Sequence, residues 1–234
     1  MVGFVGEALI GLLTGYVFGA FPTGYFVGRL HGVDVRQHGS GRTGGSNVLR
    51  TVGWFAFALT IIGDALKGAL PVLLVTHVIA PGSATAAAAA VIGALLGSNW
   101  SVVIAWLGRG SVNEFRTSNA YQFVRGLFAN AKGGAGVITT ACAALTLYWQ
   151  AVVPLAVVGI LVLIVFRYSS LASMTVAVLY PLIMAFFFFT GAVPIVHLAM
   201  SIIAAMIVLY VLVPNVRRLR AGTEQKFGQR VMIK

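Results

Sequence analysis

The sequence is organised around the stretch Gly39-Ser-Gly-Arg-Thr-Gly-Gly-Ser-Asn-Val-Leu-Arg50, which is polar in a chain that is otherwise strongly apolar. Its glycines expose backbone N–H groups with no side chain in the way, and its hydroxyl groups and Arg50 add further donors. Backbone N–H groups beside a guanidinium are typical of phosphate sites. The stretch therefore predicts an anion site. The alternative is a set of tight turns whose arginines face lipid.

The composition of the chain predicts an integral membrane protein. Of 234 residues, 59% are hydrophobic and only 9% are charged, whereas a soluble domain is about a quarter charged. In such a chain the net charge of +11 reflects topology and an anionic lipid surface rather than binding of nucleic acid. The single cysteine, Cys142, excludes a disulfide framework, and no residue cluster suggests a metal or another cofactor. The length favours one domain, 1–234.

The apolar runs predict an all-α fold of about seven transmembrane helices, because a bilayer core requires about 20 mostly apolar residues per helix. The first run could continue past Pro22 to Val27, and Trp149-Gln150 is the only break between the fourth and fifth runs. Six or eight crossings therefore remain open. The seven runs are Val2–Phe21, Val52–Ile79, Ala84–Leu107, Gly136–Tyr148, Ala151–Phe166, Leu171–Phe189 and Val193–Val213.

Lysines and arginines fall on one side of this arrangement. Apart from Lys67, which lies inside the second run, they follow the first, third, fifth and seventh runs, whereas the junctions after the second, fourth and sixth runs contain none. Because cytoplasmic loops are enriched in these residues, the pattern predicts an N-terminus outside and a cytoplasmic C-terminus. A polar insert, 108–131, and a basic tail, 214–234, would then be cytoplasmic. The insert could form a helix in the membrane interface or an irregular loop.

Two further polar features could carry chemistry. The turn Asn130-Ala-Lys-Gly-Gly-Ala-Gly136 precedes the fourth run and suggests a second anion site on the same face. Asp64 and Lys67 lie three residues apart on one face of the second run. Because a charge inside a membrane is costly, this pair either serves only to hold helices together or faces a polar cavity.

These motifs resemble those of the PlsY family, bacterial membrane glycerol-3-phosphate acyltransferases that use acyl-phosphate as the donor. The resemblance spans nearly the whole chain, apart from extra residues between Trp100 and Lys132. It implies a seven-helix enzyme of the bacterial plasma (inner) membrane that transfers the acyl group to the hydroxyl of glycerol 3-phosphate, giving lysophosphatidic acid without a metal, a cofactor or a covalent acyl-enzyme. The similar segments are Gly39–Arg50, Asp64-x-x-Lys-Gly68, Lys132-Gly-Gly-Ala-Gly-Val137, Ser170-Leu-Ala-Ser173 and Asn215–Glu224.

The resemblance also implies roles for individual residues. Ser40, Arg50 and Asn215 would be the catalytic residues, with Ser40 and Arg50 holding one phosphate and Asn215 orienting a reacting group. Lys132, Gly133 and Gly134 would lie near the other phosphate. The complete set of implied phosphate-binding residues is Gly39, Ser40, Gly41, Arg42, Gly44, Ser46, Asn47, Arg50, Lys132, Gly133, Gly134 and Ser173.

The chain departs from the family pattern at positions that matter for this chemistry. Ala135 stands where the family has a lysine, and Leu212 and Val213 stand where it has a histidine and an arginine. Losing a phosphate cation from a dry site would cost several kcal/mol of transition-state binding. Arg42 replaces an asparagine of the family and could supply the charge that is missing at Ala135.

The sequence therefore leaves three functions open. The first is a working acyltransferase, which is favoured because the first motif is largely intact. The second is a lapsed relative that serves as a membrane subunit or a lipid-phosphate-binding protein, with 108–131 as a docking surface for a protein partner. The third is a small transporter, which the lack of broken helices arranged as inverted repeats disfavours.

Overall fold

The structure is a computed structural model that describes residues 3–107 and 131–230, and these residues form α-helices and turns without a β-strand. The helices are α1 Phe4–Gly19, α2 Thr23–Leu30, α3 Gly45–Thr51, α4 Trp54–Leu74, α5 Ala84–Asn99, α6 Val102–Leu107, α7 Val137–Leu145, α8 Trp149–Phe166, α9 Ser169–Phe189 and α10 Ile195–Arg220. A 3-10 turn covers Val35–Gln37, and a π-helical turn, Val75–Ile79, continues α4.

Five helical segments are long and apolar enough to cross a membrane. They are Phe4–Leu30, Trp54–Ile79, Trp149–Phe166, Ser169–Phe189 and Ile195–Arg220, and α5 is a shorter apolar helix. Large apolar side chains such as Phe55, Leu182 and Phe186 are exposed on these segments, as contact with lipid requires. The prediction of an all-α, multi-pass membrane protein is therefore confirmed.

The predicted helix Ala84–Leu107 is wrong as a single element, because α5 ends at Asn99 and α6 begins at Val102. Contacts of Ser101 with Ala20 and Ala131, both distant in sequence, fix the break between α5 and α6. The Ser101 hydroxyl donates to the carbonyl of Ala20 and accepts from the N–H of Ile104 at the start of α6. The Ser101 N–H donates to the carbonyl of Ala131 at 3.0 Å.

The predicted helix Val193–Val213 is also wrong at its C-terminal end, because α10 continues through Pro214 to Arg220. The last turn contains Arg217, Arg218 and Arg220, which are favourable at a helix C-terminus because of the helix dipole. The extension carries Asn215 and Arg218 beyond the apolar run on a rigid element. The fourth predicted helix, Gly136–Tyr148, is shorter in the structure and ends at Leu145.

α1 and α5 pack backbone to backbone. A Cβ atom on Gly15 would lie 2.1 Å from the carbonyl oxygen of Ala90, and one on Gly93 would lie 2.1 Å from that of Leu12. Such close approach through small residues is typical of helix association in membranes. The contact fixes the C-terminal end of α5, where the carbonyl of Asn99 accepts a 3.0 Å hydrogen bond from the N–H of Gly133. The second glycine-rich turn is thereby tied to the helix bundle.

Candidate functional site

A cavity of about 410 Å³ lies between α4, α7, α8, α9 and α10. One end is apolar, with Ala144, Val152, Leu155 and Tyr180 in its wall. The other end is formed by the first glycine-rich stretch, the start of α9, the end of α10 and Phe227. The polar side chains in the lining belong to Ser40, Arg42, Ser46, Asn47, Arg50, Asp64, Ser169, Ser170, Thr140, Ser173 and Asn215.

The first half of the glycine-rich stretch is folded around the side chain of Asn47. Its amide nitrogen donates to the carbonyls of Val35, His38 and Arg42 at 2.8, 3.1 and 2.8 Å. Its amide oxygen accepts from the N–H of Ser40 at 2.9 Å. Both polar atoms of Asn47 thus hold the loop. The second half of the stretch, from Gly45, forms the short helix α3 instead of a loop.

Gly39 is required by the same arrangement. Its φ is +60°, and a Cβ atom there would lie 2.3 Å from the Asn47 amide oxygen. Only glycine combines this backbone conformation with such a close approach. Gly41 has a φ of +69°, so both neighbours of Ser40 adopt the left-handed conformation that favours glycine.

Arg42 joins three parts of the chain at the polar end of the cavity. Its guanidinium donates to the carbonyl of Gly134 at 3.2 Å and to that of Val211 at 3.0 Å. Burial lowers the pKa of Arg42, and the positive charge of Arg218 lowers it further. The residues that follow these two acceptors, Ala135 and Leu212, also line the cavity.

Arg50 is buried, with 5% of its surface exposed. One terminal nitrogen donates to the carbonyl of Gln225 at 2.9 Å, while its Nε is buried without a hydrogen-bond partner among the described residues. Burial lowers the pKa of Arg50, and Glu224 offsets this effect only in part. An unpaired guanidinium N–H inside a site is costly unless a ligand accepts from it.

Glu224 connects the elements that surround the polar end. Its Oε1 accepts from Asn215 Nδ2 at 2.8 Å and from Ser170 Oγ at 2.9 Å, and its Oε2 accepts from Arg218 Nε at 2.6 Å. Burial alone would raise the pKa of Glu224, but these hydrogen bonds outweigh it and hold the pKa below the ordinary value. The carboxylate thus fixes the predicted catalytic residue Asn215 against α9.

The segment after α10 folds back over the cavity. The ring of Phe227 packs edge-on against Trp54 and Phe57, with centroids 5.9 and 5.8 Å away, and it forms part of the lining. The N–H of Phe227 donates to the carbonyl of Arg167 at 2.6 Å. Arg167 itself adopts a left-handed conformation with φ of 59° at the end of α8.

Asp64 and Lys67 form the ion pair that their spacing suggested. Lys67 Nζ lies 2.7 Å from Asp64 Oδ1, and both side chains are almost completely buried. Lys67 also donates to the carbonyl of Phe21 at 3.4 Å, whereas Asp64 lines the cavity. The pair therefore links α4 to the turn after α1, and Asp64 forms part of the cavity wall.

The structure brings together some of the predicted site residues and leaves others apart. Lys132 is exposed and pairs with Trp100 through a backbone bridge, away from the cavity lining. Gly133 and Gly134 also lie outside the lining: the Gly133 N–H donates to the carbonyl of Asn99, and the Gly134 carbonyl accepts from Arg42. Those in the lining are Ser40, Arg42, Gly44, Ser46, Asn47, Arg50, Ser173 and Asn215, and those outside it are Gly39, Gly41, Lys132, Gly133 and Gly134.

Three residues of the site were not predicted from the sequence: Ser170, Glu224 and Phe227. A signal for Glu224 was available, because it is the sole acidic residue in the basic segment 214–234 and such a residue usually pairs with a neighbour. No cluster of three potential metal ligands occurs within residues 3–107 and 131–230. The proposed partner surface at 108–131 lies outside the described residues, except for Ala131.

Comparisons with known proteins agree with the motifs. A family model described as glycerol-3-phosphate acyltransferase matches residues 9–112 and 124–222. A glycerol-3-phosphate acyltransferase from Alkaliphilus metalliredigens is 31% identical over 226 residues, covering 96% of this chain and 98% of its own length. The enzyme of the same name from Rubrobacter xylanophilus is 36% identical over 224 residues, covering 96% of both chains.

Two solved structures share the fold. The first is the glycerol 3-phosphate form of PlsY, an integral membrane glycerol 3-phosphate acyltransferase, with 26% identity, a TM-score of 0.75 and coverage of 94% of this chain and 95% of that chain. The second is the lysophosphatidic acid form of PlsY, with 26% identity, a TM-score of 0.73 and coverage of 95% and 96%. The family model, the relatives and the shared fold confirm the resemblance: the chain belongs to the glycerol-3-phosphate acyltransferase family.

Proposed function

We propose that the protein transfers an acyl group from acyl-phosphate to the hydroxyl of glycerol 3-phosphate and so produces lysophosphatidic acid. One observation carries the proposal. Arg42 and Arg50 line the same cavity, and neither forms an ion pair within residues 3–107 and 131–230, where the pairs are Arg36–Asp34, Lys67–Asp64 and Arg218–Glu224. Two guanidinium groups in one cavity without a carboxylate of their own favour an anionic ligand.

The shape of the cavity supports a ligand with one charged end and one apolar end. The polar end can accept a phosphate at Arg42 and Arg50, and the apolar walls of α8 and α9 continue from it. An acyl-phosphate has this division, and glycerol 3-phosphate adds a second phosphate. The relatives are named for this acceptor, and PlsY has a glycerol 3-phosphate form and a lysophosphatidic acid form.

In the reaction, the glycerol hydroxyl oxygen forms a bond to the acyl carbonyl carbon. The bond from that carbon to the phosphate oxygen breaks, so the phosphate leaves with the electron pair and takes up the hydroxyl proton as hydrogen phosphate. The residues of this site contribute position and positive charge, which stabilise the developing negative charge on the carbonyl and phosphate oxygens. Asn215, held by Glu224, can donate to one of the reacting groups from a fixed orientation.

Arg42 can supply the positive charge that this chain lacks at Ala135 and Leu212, where the family has a lysine and a histidine. Its guanidinium contacts the carbonyl of Gly134, which precedes Ala135, and that of Val211, which precedes Leu212. The group therefore lies between the two positions where the family has a lysine and a histidine. A single arginine, with five donors in a rigid fork, can hold these two carbonyls and still present charge to a phosphate.

Replacing Arg42 by alanine is expected to lower kcat/KM for lysophosphatidic acid formation by about a hundredfold, the typical effect of removing one preorganised electrostatic stabiliser. The control is Arg220→Ala, which removes an exposed arginine from the basic tail. Steady-state assays with purified protein in detergent measure both variants. Activity of Arg42→Ala equal to that of the control would show that Arg42 does not compensate for the missing cations.

The proposal includes seven membrane crossings in the bacterial plasma membrane, with the N-terminus outside and the C-terminus in the cytoplasm. The positive-inside pattern supports this orientation. Two of the seven segments are short: α5 with α6, and the nine-residue α7. α7 alone measures about 14 Å, whereas a bilayer core is about 30 Å thick. α7 would therefore cross together with the glycine-rich turn before it and the residues after it.

Cysteine labelling tests this orientation. In a Cys142→Ala background, a membrane-impermeant maleimide is expected to label Pro81→Cys in intact cells and Ala221→Cys only after lysis. Both positions are exposed in the structure. Labelling of both cysteines in intact cells would indicate an even number of crossings, and the reversed pattern would overturn the orientation.

The alternative function, a lapsed relative that binds lipid phosphates, rests on Ala135 and Leu212, which carry no charge into the cavity they line. An assay of purified protein with acyl-phosphate and glycerol 3-phosphate separates the two functions. Formation of lysophosphatidic acid above the level of an Arg50→Ala variant supports the acyltransferase. The same background level in both proteins would favour the lapsed relative.

A further inference from the structure

A second cavity, of about 590 Å³, is formed by the segment that follows α10 and the turn between α8 and α9. Its size is within the range of small-molecule sites. Its wall is largely polar, whereas the wall of the first cavity is mostly apolar. The wall consists of Arg167 and Tyr168 from the turn and of 222–226, 228 and 229 from the segment after α10. We call this second cavity the outer cleft.

The outer cleft carries positive charge. Arg167 and Lys226 are exposed in its wall, and neither forms an ion pair within residues 3–107 and 131–230. Glu224 is the carboxylate among the wall residues, and both of its oxygens already accept hydrogen bonds from other side chains. Two cations beside a carboxylate that is already neutralised attract a small anion.

The outer cleft and the first cavity lie back to back. Lys226 and Gly228 line the outer cleft, whereas Phe227, between them in sequence, lines the first cavity. The same alternation occurs at the start of α9, where Tyr168 lines the outer cleft and Ser169 lines the first cavity. The wall between the two spaces is therefore built from 223–227, which we call the strap.

The strap has the features of a wall that can move. It contains no helix, and the glycines at its two ends, Gly222 and Gly228, have φ of +67° and +79° with no described atom within 4 Å of an added Cβ. On its inner side, Arg50 donates to the carbonyl of Gln225 at 2.9 Å. A phosphate is a stronger acceptor for a guanidinium than a neutral carbonyl, so an arriving phosphate can replace Gln225 at Arg50.

We propose that the outer cleft is an entry site for glycerol 3-phosphate, whose phosphate binds at Arg167 and Lys226 before the molecule passes the strap into the first cavity. This inference rests on the proposed acyltransferase function, because that function requires a soluble phosphate to reach Arg50. A largely polar wall suits a soluble phosphate better than a lipid, since acyl chains require apolar surface.

The decisive variant carries Arg167→Gln and Lys226→Gln. Its KM for glycerol 3-phosphate is expected to rise by about tenfold, the lower range for loss of charge focusing in a cleft, while kcat stays within about twofold of wild type. The matched control carries Arg217→Gln and Arg220→Gln, which remove the same charge from two exposed residues outside both cavities. Its KM for glycerol 3-phosphate should equal that of wild type, and neither variant should change the KM for acyl-phosphate.

A binding measurement separates failure of this inference from failure of the proposed function. In a protein with Arg42→Ala and Arg50→Ala, the first cavity has lost both of its arginines. Isothermal titration calorimetry with glycerol 3-phosphate should still detect binding, which the two cleft substitutions abolish and the two control substitutions preserve. If wild type forms no lysophosphatidic acid, this result would overturn the proposed function and keep the outer cleft as a phosphate site.

Three results would overturn the proposal. The first is a wild-type KM for glycerol 3-phosphate in the cleft variant, and the second is an equal rise in the cleft variant and the control. The third is displacement of glycerol 3-phosphate in the calorimeter by phosphatidylglycerol but not by phosphatidylcholine, which would assign the outer cleft to a lipid headgroup. If the variant with Arg167→Gln does not fold, Lys226→Gln alone should raise the KM by about threefold.

Discussion

Replacing Arg50 by alanine is expected to reduce lysophosphatidic acid formation by about a thousandfold, the upper range for loss of one preorganised donor to a developing charge. Arg50 is buried at the polar end of the cavity, and its Nε has no partner among the described residues. Bound phosphate would accept from this N–H in a fork geometry that alanine cannot offer.

Two further variants distinguish binding from structural support. Arg50→Lys keeps a charge but loses the planar fork, so we expect it to recover only a small part of the activity. Arg217→Ala, which removes an exposed arginine, should retain wild-type activity. Because Arg50 also donates to the carbonyl of Gln225, the melting temperature is measured for each variant. Wild-type kcat/KM in Arg50→Ala would remove Arg50 from the site.

Replacing Glu224 by alanine is expected to lower both stability and activity. The change leaves the Ser170 hydroxyl, the Asn215 amide and the Arg218 guanidinium without their common acceptor. Unpaired buried donors cost about 1–3 kcal/mol each, but the Arg218 side chain is 39% exposed, so water compensates for part of its loss. We expect a total destabilisation of about 2–4 kcal/mol, measured as a lower melting temperature in detergent.

The same carboxylate predicts a pH dependence. The pKa of Glu224 in the folded protein lies below its ordinary value of 4.5. Its contribution to stability is therefore complete above the ordinary pKa and is lost as the pH falls through the lower, folded-state pKa. Glu224→Gln removes the titration, so its stability should depend less on pH on the acid side. An unchanged acid slope in Glu224→Gln would show that another group is responsible.

The membrane-spanning segments could be predicted because bilayer thickness imposes a length and a composition on each helix. The breaks could not be predicted in this way. The end of α5 at Asn99 depends on hydrogen bonds from Ser101 to Ala20 and Ala131, which are distant in sequence. The extension of α10 past Pro214 likewise depends on polar contacts that an apolar pattern does not encode.

The sequence could predict that residues of the first stretch line the cavity, but not the hydrogen bonds that these residues form. Glycines and Arg50 in the first stretch indicated an anion site, and Arg50 does line the cavity. The sequence could not show that Asn47 is occupied by the loop itself, or that Lys132 points away from the cavity. Both facts follow from the fold of the turns, which depends on pairings such as that of Gly133 with Asn99.

The position of Glu224 and Phe227 has a consequence for biogenesis. Both follow α10, yet they fix the start of α9, the side chain of Asn215 and the wall beside Phe57. Chains emerge from the ribosome from the N-terminus onward, so the earlier helices can enter the membrane while the site still lacks one side. A nascent chain would thus lack the contacts of Glu224 with Asn215 and of Phe227 with Phe57 until translation has passed Phe227. Molecules that end before Glu224 would therefore have an incomplete site, even when all of their helices are in place.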